Sequence, residues 1–464
     1  MSFSVPRLAE ALLDLPPVSP ATPLCVALSG GIDSVVLLAA LAELRAEGAV
    51  GPLRARHVDH GLHPDSGAWA GACESVCRTL GVALQTVRVD VPRERGDSLE
   101  AAARAVRYEA LAAGLGHDEC LLTAHHGDDQ METVLLQLLR GSGPAGLAAM
   151  PKYRRLADGW LIRPLLGFTR AELEAWARGR GLAWQEDPSN RDPAPGRNFL
   201  RLKVLPQLLE RWPGAAASIG RSAALCAEAH HLLEDLGQAD LAVVAVDDGL
   251  DAVVLATLNP ARQRNLLRLW LRRQQLPLPD SHRLQTAVEQ LLPARRDARP
   301  RVDWPGASLR KYRDRIHVLG QRQLEVLGRD PRPLSWPEVR TPLPLGQGMG
   351  RLVWTHDPDG GVDARWLQDA GMEIRYRHAG DQAQPAGGDQ HRRLKTLFQE
   401  IGIAPWWRSH VPLVFAQNRL LAIADRWLAP GARAAPGHAG WRLRWEDAPT
   451  AAAHDCDSPG VLVI

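Results

Sequence analysis

Two short stretches hold most of the groups in this chain that could do chemistry. The first is Ser29-Gly30-Gly31-Ile32-Asp33-Ser34, which follows the apolar run 24–28 and precedes the helix-like run 35–47. A strand, a glycine turn and a helix start are what a phosphate-binding loop needs. The first N–H groups of a helix lack intrahelical partners, the helix dipole adds partial positive charge, and glycine lets the backbone approach an anion. Ser29 and Ser34 add hydroxyls. No Gly-Lys pair occurs in the chain, so this is not a Walker A loop. An acidic Asp33 beside phosphates makes chemical sense as a Mg²⁺ ligand. The second stretch is Thr123-Ala124-His125-His126-Gly127-Asp128-Asp129-Gln130-Met131-Glu132-Thr133, with two histidines and three carboxylates after an expected strand. It could handle protons or bind a cation. Asp128 and Asp129 also suit a helix N-terminus. His125, Asp129 and Glu132 are spaced i, i+4, i+7 and share one face if the segment is helical.

Other polar groups fall at the ends of expected elements. Val58-Asp59-His60-Gly61-Leu62 closes a strand, where a base or ribose would lie. Ser98 begins a helix as a cap, and Arg104 and Arg107 three apart on it could reach one anion. Arg140-Gly141-Ser142-Gly143, Glu186-Asp187-Pro188-Ser189-Asn190 and Arg197-Asn198-Phe199-Leu200-Arg201 follow. The Asp, Pro, Ser and Asn in these loops are turn formers that could equally donate to RNA.

These groups need a frame. Residues 24–28, 54–58, 83–89 and 119–123 read as strands, and 35–47, 67–80, 98–114 and 130–139 as helices. Such alternation implies an α/β fold with a doubly wound, mostly parallel sheet and ligands at the C-terminal strand ends. The pattern stays helical over 169–209, Pro213-Gly214 marks a boundary, and Ala- and Leu-rich helix follows over 215–240. Residues 262–322 hold 15 Lys and Arg against 5 Asp and Glu, and more helix is expected there. A Pro-rich segment over 330–344 reads as a linker or edge strands. A third compact segment runs from about 350 to 444, and the stretch from 446 reads as a tail without fixed structure.

At 464 residues, 45% hydrophobic and 23% charged, the chain has the size and composition of a two- or three-domain globular protein. No apolar run reaches the roughly 18 residues of a membrane span, and Glu10 and Asp14 interrupt any secretory leader. Six cysteines are too few for a disulfide scaffold, so a reducing cytoplasm is expected. Only four lysines occur, at 152, 203, 311 and 395, so arginine carries the positive charge.

The Ser-Gly-Gly-x-Asp-Ser loop resembles the PP-loop of ATP pyrophosphatases, which split ATP between its α- and β-phosphates. Its order with Val-Asp-His-Gly-Leu, Glu-Ala-Ala-Ala-Arg, Thr-Ala-His-His-Gly-Asp-Asp-Gln-Met-Glu-Thr, Arg-Gly-Ser-Gly and Glu-Asp-Pro-Ser-Asn resembles the tRNA(Ile)-lysidine synthase family. So do Tyr376-Arg377-His378-Ala379-Gly380-Asp381, Arg392-Arg393-Leu394-Lys395-Thr396-Leu397-Phe398-Gln399 and Ile403-Ala404-Pro405-Trp406-Trp407-Arg408.

The resemblance implies a ligase that adenylates C2 of the wobble cytidine in an isoleucine tRNA with a CAU anticodon and replaces AMP by L-lysine. It implies ATP and Mg²⁺, with Ser29, Gly30, Gly31, Ile32, Asp33, Ser34, His60 and Arg104 at the nucleotide and Asp33 on the metal. Asp33, Arg104, His125 and Asp129 would be catalytic, and His125, Asp129 and Glu132 would bind lysine. Arg197, Arg201, Arg392, Arg393, Lys395 and Trp406 would bind tRNA, although Trp406 and Trp407 also suit a core. The implied domains are 1–215 for catalysis, 216–328 as a helical Arg-rich tRNA-binding domain, and 345–445 as a small α+β domain for the acceptor stem. No membrane is implied, and a homodimer is compatible. The related tRNA thiolases typically rely on catalytic cysteines, and Cys73 and Cys77 here resemble packed small residues.

Overall fold

Short apolar runs become strands because they can be buried on both faces. The computed structural model describes residues 2–61, 66–91, 99–247, 249–295, 298–358, 360–368, 371–388, 390–435 and 438–449. Ser98 and the tail beyond residue 450, both read from the sequence above, lie outside them. By its contacts the chain divides into two compact units, Met1–Leu232 and Leu233–Ile464.

In the first unit Leu24–Ala27 (β1), Leu53–Asp59 (β2), Ala83–Arg88 (β3), Cys120–Leu122 (β4), Tyr153–Leu156 (β5) and Gly159–Ile162 (β6) form one sheet in the order β3-β2-β1-β4-β6-β5. All pairings are parallel except the β5–β6 hairpin. Leu24 and Val26 of β1 and Cys120 and Leu122 of β4 face one core. Cys25, Leu121 and Leu161 face a smaller one that Leu111 and Tyr108 close. On the larger side lie Val5–Leu13 (α1), Ile32–Ala46 (α2) and Ser66–Thr79 (α3), with Cys73 and Cys77 facing the sheet. Leu99–Ala112 (α4) covers the other face. The two helices that matter next are Gly127–Leu139 (α5) and, after the turn Pro144–Leu147 (α6), Arg170–Gly179 (α7). The helix α2 is buried almost all round, from Ile32 to Leu44, because α1 and α7 pack on it from outside.

The sheet order fixes where function can sit. The chain runs from β1 outward to β3 on one side, then returns to the other side of β1 with β4. Loops leaving β1 and β4 therefore diverge and open a crevice at their C-terminal ends. Both chemical stretches of the sequence, 29–34 and 123–133, begin there.

After α7 the expected continuous helix is broken. Gly196–Phe199 (α8) leads into a wider π-type turn at Leu200–Val204 and then Leu205–Arg211 (α9). Ala215–Val244 (α10) then runs as one helix. In the second unit the Arg-rich region holds the expected helix at Pro260–Arg273 and Ser281–Leu291, and a further helix, Gln321–Leu327, starts at its end. Between these helices lies a meander of Arg301–Trp304, Ala307–Tyr312 and Arg315–Gly320 in a five-stranded sheet, which the sequence reading did not anticipate. Residues 301–304 alternate exposed and buried, a period-2 pattern that no helix can satisfy. The Pro-rich segment supplies two edge strands, Leu334–Trp336 and Leu343–Pro344, the position a missing N–H tolerates. The last strand, Gly440–Glu446, carries order past the expected end at 444. The Pro449 carbonyl still accepts from Gln323 Nε2.

Gly30 holds the turn after β1 at φ +85°, and a Cβ there would lie 3.2 Å from Cys73 Sγ. Gly30→Ala is expected to cost about 1–2 kcal/mol of stability, since an L-residue is strained in that region. Thermal unfolding checks it, and an unchanged Tm would show the turn to be free of strain.

Candidate active site

The loop after β1 is built by its own hydroxyls. Ser34 Oγ accepts the Ser29 N–H (3.2 Å), donates to the Gly31 carbonyl (2.9 Å) and lies 3.1 Å from Ser29 Oγ. The Gly30 carbonyl accepts the Gln185 N–H at 2.9 Å, which ties the turn to the 180s. Gly31 caps α2, and the first bond within the helix start comes from Ser34 N–H. The amides of Ile32 and Asp33 precede it, so they remain available to an anion. Ser34 thus shapes the loop, and the backbone presents the donors.

Asp33 points from this loop with one side buried. Its Oδ1 has no hydrogen-bond partner, and the nearest cations are His126 Nε2 and Arg170 at 3.8 Å each. Burial raises the carboxyl above its ordinary range against the pull of His126 and Arg170. Among the described residues no three His, Cys, Asp or Glu side chains converge to hold a metal ion. Mg²⁺ does not need such a cage, because it binds through one or two carboxylates plus substrate phosphates. An orphaned carboxylate oxygen beside a phosphate loop fits that use.

Across the crevice, the start of α5 is pinned from both sides. Gly127 N–H donates to the Phe168 carbonyl (2.7 Å), and Asp128 Oδ2 accepts the Arg170 N–H (2.8 Å). Asp128 therefore joins the N-termini of α5 and α7. Asp129 Oδ2 accepts the His126 N–H (3.0 Å), the capping role its position allowed. The chain at His126 is extended, φ −120° and ψ −177°, so the helix begins at Gly127. His125 consequently does not share a helical face with Asp129 and Glu132, contrary to the spacing argument. It lies in the preceding loop with Nδ1 2.9 Å from Thr123 Oγ1.

The carboxylates expected for an ammonium are already paired. Arg197 donates to Glu132 Oε2 (2.6 Å) and Asp129 Oδ1 (3.0 Å), and Arg201 to Glu132 Oε1 (2.7 Å) and Asp129 Oδ1 (3.0 Å). Glu132 is completely buried. Both arginines, assigned to tRNA above, thus meet the acids that the sequence reading expected to bind lysine. The π-type turn after α8 sets Arg197 and Arg201 side by side, a distortion often found at functional sites.

His126 was missed as a site residue and occupies the centre. Its imidazole lies 3.8 Å from Asp33, 3.3 Å from Asp128 and 3.4 Å from Asp129. Burial opposes its protonation, but Asp129, Asp128 and Asp33 together outweigh that and hold it above its ordinary value. His125 goes the other way: burial pushes it down to about 3, with Arg163, Arg104 and Arg197 adding to burial against Asp129. The two neighbouring rings are thus pushed in opposite directions, and His125 is neutral. The sequence did hold a signal for the ion cluster. Asp129 and Glu132 at i,i+3 and Arg197 and Arg201 at i,i+4 are like-charge pairs that need opposite partners.

At the end of β2, Asp59 Oδ1 accepts the Gly61 N–H (2.9 Å) and shapes the turn. His60 is held below its ordinary value by burial and then by Arg107, so it is neutral. Arg104 is exposed, its guanidinium 5.2 Å from the Tyr108 ring centre. Burial raises the thiols of Cys25 and Cys77 to about 11 and of Cys73 and Cys120 to about 12, so none of them is a nucleophile.

In the second unit Arg392, Arg393 and Lys395 are exposed around the start of Leu394–Glu400, and Arg392 pairs with Glu400 at 2.7 Å. Trp406 is partly buried, packed edge-on to Tyr312 and His317 with Arg310 5.5 Å from its ring centre. Its indole is part of the packing, and Trp407 is buried.

A PP-loop domain model matches residues 5–208, a TilS substrate binding domain model 250–317, and a TilS substrate C-terminal domain model 372–445. Relatives extend over nearly the whole chain. The tRNA(Ile)-lysidine synthase of Alkalilimnicola ehrlichii is 44% identical over 91% of this chain and 93% of its own. Those of Methylococcus capsulatus and Pseudomonas aeruginosa are each 41% identical, over 90% and 95% of this chain and 95% and 97% of their own.

The depressed His125 gives a signed expectation. Its folded-state value lies below the unfolded one, so it weakens the fold as pH falls below the ordinary 6.5 toward 3. His125→Gln removes that proton site. Relative to the parent it should gain on the order of 1–2 kcal/mol between pH 8 and pH 5. Urea unfolding at the two pH values measures it, and a difference independent of pH would refute the neutral imidazole.

Proposed function

The chain belongs to the tRNA(Ile)-lysidine synthase family, and on that premise we propose that it joins L-lysine to C2 of the wobble cytidine of an isoleucine tRNA with a CAU anticodon. The reaction is ATP-dependent and leaves AMP and pyrophosphate. The observation that carries the site assignment is the crevice itself, where a phosphate loop faces two buried carboxylates across His126. Adenylation turns the C2 oxygen, a poor leaving group, into a phosphate ester. The loop amides at Ile32 and Asp33 hold the ATP phosphates as the α-phosphate passes to the C2 oxygen and pyrophosphate leaves, and Arg104 balances charge on the adenylate. Asp33 would hold Mg²⁺, which neutralises charge on the departing pyrophosphate when bound.

Lysine must lose a proton before it attacks. From an ordinary value near 10.4, reaching the neutral amine at pH 7 costs about 4.6 kcal/mol. A bare carboxylate ring would deepen that cost by favouring the ammonium. Arg197 and Arg201 already neutralise Asp129 and Glu132, so the pocket orients the amine without trapping its charged form. Neutral His125 adds no further charge to the pocket, and with its value near 3 it is too weak a base to hold the proton the amine gives up.

Residues 1–215 would then catalyse, 216–328 contribute arginines to the tRNA backbone, and 345–445 present Arg392, Arg393 and Lys395 to the acceptor stem. Backbone contacts of this kind give affinity and salt dependence. No helix among the described residues is long and apolar enough to cross a membrane.

The test is release of AMP and pyrophosphate with an isoleucine tRNA transcript, with and without L-lysine, beside a methionine tRNA. Lysine incorporation on the isoleucine transcript alone is expected, and turnover indifferent to lysine would overturn the amine assignment. Asp129→Asn should raise the KM for lysine at least about tenfold, the loss of one charged hydrogen bond, and leave the KM for ATP near the parent's. Unchanged lysine dependence would remove Asp129 from the pocket.

A further inference from the structure

Four guanidiniums gather around one phenol ring in the first unit, and among the described residues no carboxylate pairs with them. Arg104 and Arg107 on α4 and Arg154 on β5 hold their guanidinium carbons 5.2, 5.8 and 6.0 Å from the ring centre of Tyr108. Arg163, directly after β6, is 5% exposed. It donates to the Pro151 carbonyl at 2.8 Å, and its Nε is buried with no partner. Among the described residues none of the four has an ion pair within 4 Å, while Arg104 and Arg154 both act on Arg163 with like charge. Burial holds Arg107 and Arg163 below the ordinary guanidinium range.

Such a cluster is unfavourable by itself. A cation over a ring gains only about 0.5–2 kcal/mol, and one ring cannot compensate four charges that repel one another. A buried guanidinium with an idle N–H is complete only when an anion meets it. Arg104 and Arg154 are exposed and form a rim, with Arg107 and Arg163 behind them. Arg163 and Arg104 act on His125 with like charge, so the basket borders the crevice at that histidine.

We infer that Arg107, Arg154 and Arg163 form a second phosphate subsite, which takes a backbone phosphodiester of the tRNA beside the nucleotide being modified and leaves Arg104 to the adenylate. This rests on the reaction proposed above. The ATP phosphates have their own donors at the loop, and an exposed rim suits a polymer lying across the surface. Gripping the backbone there steadies a base turned out of its stack toward His125, offsetting the few kcal/mol that unstacking costs.

The experiment uses the full chain and the variants Arg154→Gln and Arg107→Gln. Binding of an isoleucine tRNA transcript is measured without lysine across a KCl series, and ATP affinity is measured without tRNA. Each variant should lose tRNA affinity about three- to tenfold and reduce the slope of log K against log salt by about 0.7–0.9 for each contact removed. ATP affinity should stay within about twofold, as expected when the loop alone grips the nucleotide. Arg154 lies exposed on an edge strand, so its variant tests the idea even if Arg107→Gln fails to fold. Unaltered slopes, or a loss of ATP affinity with tRNA binding intact, would overturn the subsite. Because binding is read without lysine, failure of the parent to transfer lysine would count against the reaction and leave the salt slopes to judge the basket.

Discussion

A carboxylate withdrawn from water must be met by positive charge, and Glu132 is the point where this chain faces that demand most severely. Fully buried, it accepts from two guanidiniums that arrive from about 65 residues further on. Removing either partner of such a pair commonly costs about 3–5 kcal/mol, because an uncompensated charge stays behind. The pairing therefore does more than neutralise. It fixes the π-turned segment 196–211 against the start of α5 and closes one wall of the crevice.

The same logic extends inward through shared partners. Asp129 bonds Arg197 and Arg201 with one oxygen and the His126 backbone with the other, and His126 reaches Asp33 beside the phosphate loop. A change of charge at the loop is thereby felt at the carboxylates two residues away in the network. The crevice holds its acids and bases as one connected set, in which carboxylates hold His126 up, burial holds His125 neutral, and burial raises Asp33.

The sequence made the frame legible because its signals are local. Short apolar runs between helical ones placed β1 to β4 within a residue or two, the β5–β6 hairpin went unread, and glycines after β1 marked the phosphate loop. What it hid was long-range. Nothing near Arg197 indicates that it points at Glu132 rather than at a nucleic acid. The helical face assumed for His125 failed because His126 takes an extended cap conformation, which spacing alone does not reveal. The 301–320 meander was obscured by its arginines, which read as a solvated helix although Val302, Trp304, Leu309 and Ile316 turn inward.

Among the described residues, every side-chain cation within 4 Å of the carboxylates of this crevice is a guanidinium or an imidazole. Guanidinium stays protonated above pH 12 and carries no free lone pair for attack. An activated cytosine held here would therefore meet positive charge on several sides without meeting a competing amine from the protein itself. Substituting lysine for these arginines would keep the charge and introduce a rival nucleophile, turning a catalyst into its own substrate. The choice of arginine is in this sense a matter of chemical selectivity: it leaves the incoming amino acid as the one amine able to react.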